Sequence, residues 1–157
     1  YRFYRGEVRT LFPDISISNS ICFSPDKKYG YYTDTRVGKI MRQALDQDHG
    51  GPQGDPTGVI DLKAQGLHPD GSVVDAEGCI WNAQWGAARV SKYSAEGQFL
   101  SQVDLPADQT TCPAFDGPEL TDLYVTSAGE GADGADQGKT FLVPGAGKGQ
   151  AEHRVIL

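Results

Sequence analysis

The chain has 157 residues, of which 38% are hydrophobic and 22% charged, enough for one domain with a real core. Its formal net charge of −7 and pI near 4.8 leave no basic stripe that could displace counterions from a phosphate backbone, which excludes nucleic acid as a partner. No apolar run approaches the length of a membrane span, the opening residues show no signal-peptide pattern, and no membrane partner is expected.

Taken in order, the elements are short and alternate with period two. The chain opens at Tyr1 with YRFYRGEVRTLF, a strand, a tight Arg5-Gly6 turn and a second strand, without an initiator Met, and is read as a fragment. There follow ICFSP, YGYYTD and KIMRQAL, then SVVDA, CIWNAQW, RVSKYS and QFLSQVDL, then DLYVTSA and KTFLV. Each run is aromatic or β-branched and is bounded by turns containing Asp, Gly or Pro, such as SPDKK, DAEG, SAEG and FDGPEL. The chain is therefore expected to be all-β, with Lys39 to Asp46 the only stretch that has any helical character. Gln47 to Thr57 and Gly129 to Lys139 are rich in Gly and Asp, too polar to pack, and are expected to be surface loops. Cys22, Cys79 and Cys112 are odd in number and lack CxxC spacing. They are expected to be reduced and buried, which points to a cytoplasmic protein.

Three segments repeat one pattern of apolar strand, acidic turn and aromatic strand. They begin at Ile21, Ser72 and Pro113, a spacing of roughly 40 to 50 residues, the size of a four-stranded propeller blade. The expected architecture is a β-propeller of which residues 1–157 supply about three blades, in a single partial domain.

Three motifs in order, ISNSICFSPD, PDGSVVDAEGCIW and TTCPAF, give the chain a resemblance to the senescence marker protein 30/gluconolactonase/luciferin-regenerating enzyme family, and to its bacterial sugar-lactonase members. The resemblance runs over almost the whole chain and implies a six-bladed propeller, of which this is the C-terminal half. It also implies a single divalent metal ion (Ca, Zn, Mg or Mn) in the central channel, held by an Asn, an Asp and a Glu. Matched residue by residue, the Asn is Asn19 and the Asp is Asp70, while the Glu falls before Tyr1. Ser20 stands where the family pattern usually has Gly.

An amide oxygen and a carboxylate are hard donors suited to such a cation. Both are expected just before the innermost strands of successive blades, pointing into one channel. Asp70 is also the expected catalytic base, taking a proton from the water that attacks a lactone. Asp75-Ala76-Glu77-Gly78, in contrast, reads as a hairpin turn, with the acidic residues serving the turn alone. His68, Asn82, Trp85 and Thr111 are expected to line the substrate mouth. Trp81 reads as a blade-core aromatic, His49 and His153 as surface residues, and Glu130 and Asp133 as a solvated acidic loop.

The expected function is hydrolysis of a sugar lactone to its aldonic acid, with the fragment alone inactive. A non-catalytic metal- or ligand-binding propeller and a protein-interaction module are the alternatives. The expected partners are a small-molecule lactone and either the missing N-terminal half or a second copy.

Overall fold

A computed structural model gives the fold and describes residues 1–154. A short ribbon comes first, β1 (Arg2–Tyr4) paired with β2 (Glu7–Arg9). The first four-stranded sheet is β3 (Ser18–Phe23), β4 (Tyr29–Asp34), β5 (Lys39–Ala44) and β6 (Thr57–Asp61). The second is β7 (His68–Val74), β8 (Ile80–Trp85), β9 (Arg89–Tyr93) and β10 (Phe99–Asp104). A three-stranded sheet closes the order, β11 (Thr110–Asp116), β12 (Asp122–Ser127) and β13 (Thr140–Val143). Within each sheet every strand pairs antiparallel with its successor, and the first strands β3, β7 and β11 lie side by side at the centre. These are blades of a β-propeller. The stretch from Lys39 that carried helical character is β5, held as a strand by pairing with β4 on one side and β6 on the other, with Ile40 and Gln43 buried.

The core lies in two layers between neighbouring sheets. Cys22, Tyr31, Ile40, Ile60 and Leu62 pack against Val74, Ile80 and Tyr93, joining the first sheet to the second. Val73, Trp81, Ala83 and Val90 pack against Leu123 and Val125, joining the second to the third. Adjacent residues of one strand, such as Val73 and Val74, thus feed opposite layers. The middle sheet is covered on both faces, and β8 is buried almost end to end. The outer sheets each keep an open face, with Ile21 69% exposed at one end and Leu142 50% exposed at the other.

The segment after β13 returns beneath the blades. Gly149 forms a bridge to Asp75, Ala76 N donates to Lys148 O at 2.8 Å, and Gln150 Nε2 donates to Phe23 O at 2.8 Å and Val74 O at 3.1 Å. These contacts fasten the ends of β3 and β7.

The cysteine expectation is corrected in part. All three are free, but only Cys22 is buried; Cys79 is half-buried and Cys112 is exposed. Burial pushes the Cys22 thiol up to about 12, with smaller contributions from Glu152 and Cys112, so it stays a protonated packing group. Cys112 escapes burial because alternate residues of β11 face away from the core layer.

Candidate functional site

Each inner strand carries a break in register near its start. The β3–β4 pairing shifts between Asn19 and Cys22, the β7–β8 pairing between Pro69 and Ser72, and the β11–β12 pairing between Thr110 and Cys112. A bulge bends its strand and turns a side chain out of the ordinary alternation. Here it does so at the same level on three neighbouring strands. This corrects the expectation that Asn19 and Asp70 precede their strands. Pro-Asp-Gly looks like a turn in sequence, but Pro69 to Gly71 sit inside β7, where the bulge tolerates a proline.

The three bulges border one open cavity of about 300 Å³, lined by Asn19, Ser20, Asp70, Gly71, Thr111 and Cys112 among others. Among the described residues, none that lines it is basic, and Asp70 is its only carboxylate. Burial pushes the Asp70 carboxyl above the usual carboxylate range, and the Gly71 backbone N–H offsets only part of that. Gly71 is required by the closeness of β11. A Cβ there would lie 2.7 Å from Cys112 Sγ, 2.7 Å from Thr111 O and 2.9 Å from Cys112 Cα.

Asn19 is oriented by a residue absent from the sequence reading. Its Nδ2 donates to Thr35 Oγ1 at 2.8 Å, and Thr35 Oγ1 donates in turn to Pro69 O at 2.7 Å. With the amide N–H₂ occupied in this way, Oδ1 is left as the atom available to a ligand. The signal for Thr35 lay in the chain order, a hydroxyl directly after β4, but its meaning depends on the neighbouring blade.

The other expected lining residues divide. Thr111 borders the cavity, and its Oγ1 lies 2.6 Å from Thr126 Oγ1. Asn82 does not border it. This side chain is fully buried beneath the site, with Nδ2 3.2 Å from Asp70 O and 3.0 Å from Ser72 Oγ. Both faces of β8 are covered, so its side chain meets the β7 bulge and not solvent. His68 and Trp85, paired across β7 and β8, stand outside the lining, as do Glu130 and Asp133.

Among the described residues, one cluster of three donors lies within 4.8 Å, namely Asp75, Glu77 and Cys79. It does not compete with Asp70. Asp75 Oδ1 already accepts from Glu77 N at 3.0 Å and Cys79 N at 2.8 Å, and Oδ2 from Trp81 Nε1 at 2.9 Å and Lys92 Nζ at 2.9 Å. Its carboxylate is spent on the hairpin and on the core Trp81, which packs edge-on against Phe115 at 5.5 Å.

Comparison with known proteins agrees with this architecture. Residues 1–129 match the SMP-30/Gluconolactonase/LRE-like region. The chain is 41% identical over 158 aligned residues to a putative sugar lactone lactonase of Rhizobium meliloti, covering 97% of this chain and 54% of that protein. It is 37% identical over 130 residues to the pentonolactonase XacC of Haloferax volcanii, covering 83% of this chain and 44% of that protein. Among solved structures it resembles a calcium-binding protein, regucalcin, from Agrobacterium tumefaciens, with a TM-score of 0.86, 44% identity and coverage of 96% of this chain and 54% of the other. The chain spans about half the length of the curated relatives it matches. No helix among the described residues is long and apolar enough to cross a membrane.

Proposed function

The chain belongs to the SMP-30/gluconolactonase/LRE-like family, and from that membership we propose that it takes part in metal-dependent hydrolysis of a sugar lactone to the aldonic acid. The observation that carries this reading is the pair Asn19 and Asp70, brought to one cavity on adjacent inner-strand bulges. The donor set fits a divalent cation. It offers a neutral amide oxygen and a carboxylate, with no basic lining residue to neutralise that carboxylate from within the protein.

Asn19 Oδ1 and the Asp70 carboxylate would hold the cation, whose contribution is to polarise the lactone carbonyl. Asp70 accepts a proton from the attacking water as the water oxygen bonds to the carbonyl carbon, and returns it to the ring oxygen when the ester bond breaks. Burial raises this carboxyl in the cation-free site, and a cation held beside it would oppose that rise and favour the ionised form that accepts the proton. The open cavity leaves room for a small sugar ring, and Thr111 offers it a hydroxyl.

The test separates the two donors. Asp70→Asn is expected to abolish most turnover by removing both charge and base, whereas Asn19→Ala weakens metal affinity and regains part of the activity in excess metal. A pH-stat assay on a pentonolactone or gluconolactone, corrected for spontaneous opening, reads the first, and calorimetry with Ca²⁺ or Zn²⁺ reads the second. Equal losses that metal does not rescue would overturn the division of roles. Because Asp70 is the only carboxylate lining the cavity among the described residues, residues 1–157 alone are expected to bind the cation weakly and turn over lactone slowly. A companion segment or second copy that supplies another oxygen donor would tighten binding.

Metal binding without turnover would instead favour a metal-binding propeller. That reading draws on the similarity to the regucalcin described as calcium-binding.

A further inference from the structure

Ser20 lies between Asn19 and the exposed Ile21, inside the bulge of β3. Its backbone takes φ 58°, the left-handed region that a residue with a Cβ enters at a cost. What that conformation obtains is reach. The side chain is buried, 3% exposed, and leaves its own sheet to donate its hydroxyl to the carbonyl oxygen of Asp70 on the next blade.

The direction of the surrounding bonds follows from donor count. A carbonyl oxygen only accepts, so the Ser20 proton is committed to Asp70. In the 2.9 Å bond between the two hydroxyls, Ser72 must then be the donor and Ser20 the acceptor. Asn82 Nδ2 closes the ring from below, donating to Ser72 Oγ and to the same Asp70 carbonyl. One strained, buried hydroxyl thus joins the bulge that carries Asn19 to the bulge that carries Asp70.

We propose that Ser20 is a positioning residue: its hydroxyl pins the β7 bulge across the blade boundary and so sets where the Asp70 carboxylate stands relative to Asn19. The role rests on the metal reading of this cavity, which it deepens. It also makes the left-handed backbone part of the site, because an extended Ser20 would turn its hydroxyl away from the second blade.

Two substitutions divide strain from positioning. Ser20→Gly removes the hydroxyl and relieves the strain, while Ser20→Ala removes the hydroxyl and keeps it. Both are expected to bind Mn²⁺ about five- to tenfold more weakly than the parent, the scale of one lost hydrogen bond. Both are expected to raise amide exchange at Gly71 and Ser72 by a similar factor in the metal-free protein. In urea, Ser20→Gly unfolds at a higher midpoint than Ser20→Ala, so stability and affinity part company. The proposal is overturned if affinity follows the unfolding midpoint, with Ser20→Gly binding like the parent, or if exchange at the β7 bulge is unchanged in both variants. A parent that takes up no Mn²⁺ would remove the metal reading, and the exchange measurement would still decide the role of Ser20.

Discussion

Two aspartates five residues apart, Asp70 and Asp75, do opposite things because of what their oxygens touch. Asp75 is saturated by two backbone N–H groups, the Trp81 indole and the Lys92 ammonium, whereas Asp70 has a single backbone donor and an open cavity. The sequence made that distinction legible through the hairpin spacing of DAEG. It could not reveal that Trp81 and Lys92 converge on the same carboxylate. Asp75→Ala is expected to cost about 3 kcal/mol in urea unfolding, since it leaves a mostly buried ammonium and an indole N–H without their acceptor. Asp34 works as a second clamp, and here pH enters. Burial alone would raise its carboxyl, but the backbone N–H groups of Ser16, Ile17 and Arg36 hold it below the usual range. The folded chain therefore keeps Asp34 ionised to lower pH than the unfolded chain does. Its stabilisation is complete above the ordinary carboxylate value of about 3.9 and is lost as pH falls through the lower folded value. Asp34→Asn should lower the urea midpoint at neutral pH and flatten its fall below pH of about 4, whereas an equal deficit at every pH would count against the clamp.

At the scale of elements, the inner strands were legible as apolar runs but not as bulged strands. SVVDA announces itself by composition, yet β7 begins four residues earlier, at His68, and takes in the Pro-Asp-Gly that looks like a turn. A bulge is a mismatch with the partner strand, so a reading of one strand at a time does not see it. The same holds for Thr35 and Asn82, whose work depends on a neighbouring blade. Gly71 gives this a measurable form. Gly71→Ala would drive a methyl into the backbone of β11, and the expected loss is about 3 kcal/mol together with disturbed metal uptake. Gly86→Ala is the control, since its Cβ meets nothing within 4 Å and its cost comes only from φ 78°. Equal losses at the two sites would show that β11 yields easily.

At the scale of the molecule, three sheets share two core layers, so the middle blade is covered twice and the outer blades once. The repeats that begin at Ile21, Ser72 and Pro113 fall on the inner strands β3, β7 and β11, and the double burial of β8 encloses even its polar Asn82 and Gln84. The open outer faces, with Ile21 and Phe23 at one end and Tyr124 and Leu142 at the other, are where a partner is expected to bind. The chain is expected to show concentration-dependent mass in sedimentation velocity, and Leu142→Glu should reduce it with little change in unfolding. A single monomeric species at every concentration would refute this. The return of Gln150 to Phe23 O and Val74 O also has a consequence for synthesis. Each blade is built from consecutive strands and can form as it leaves the ribosome, but the stitch joining residue 150 to residue 23 waits until all three sheets have been made. Until residue 150 has been made, the lower ends of β3 and β7 are held by sheet packing alone, and the stitch then ties them.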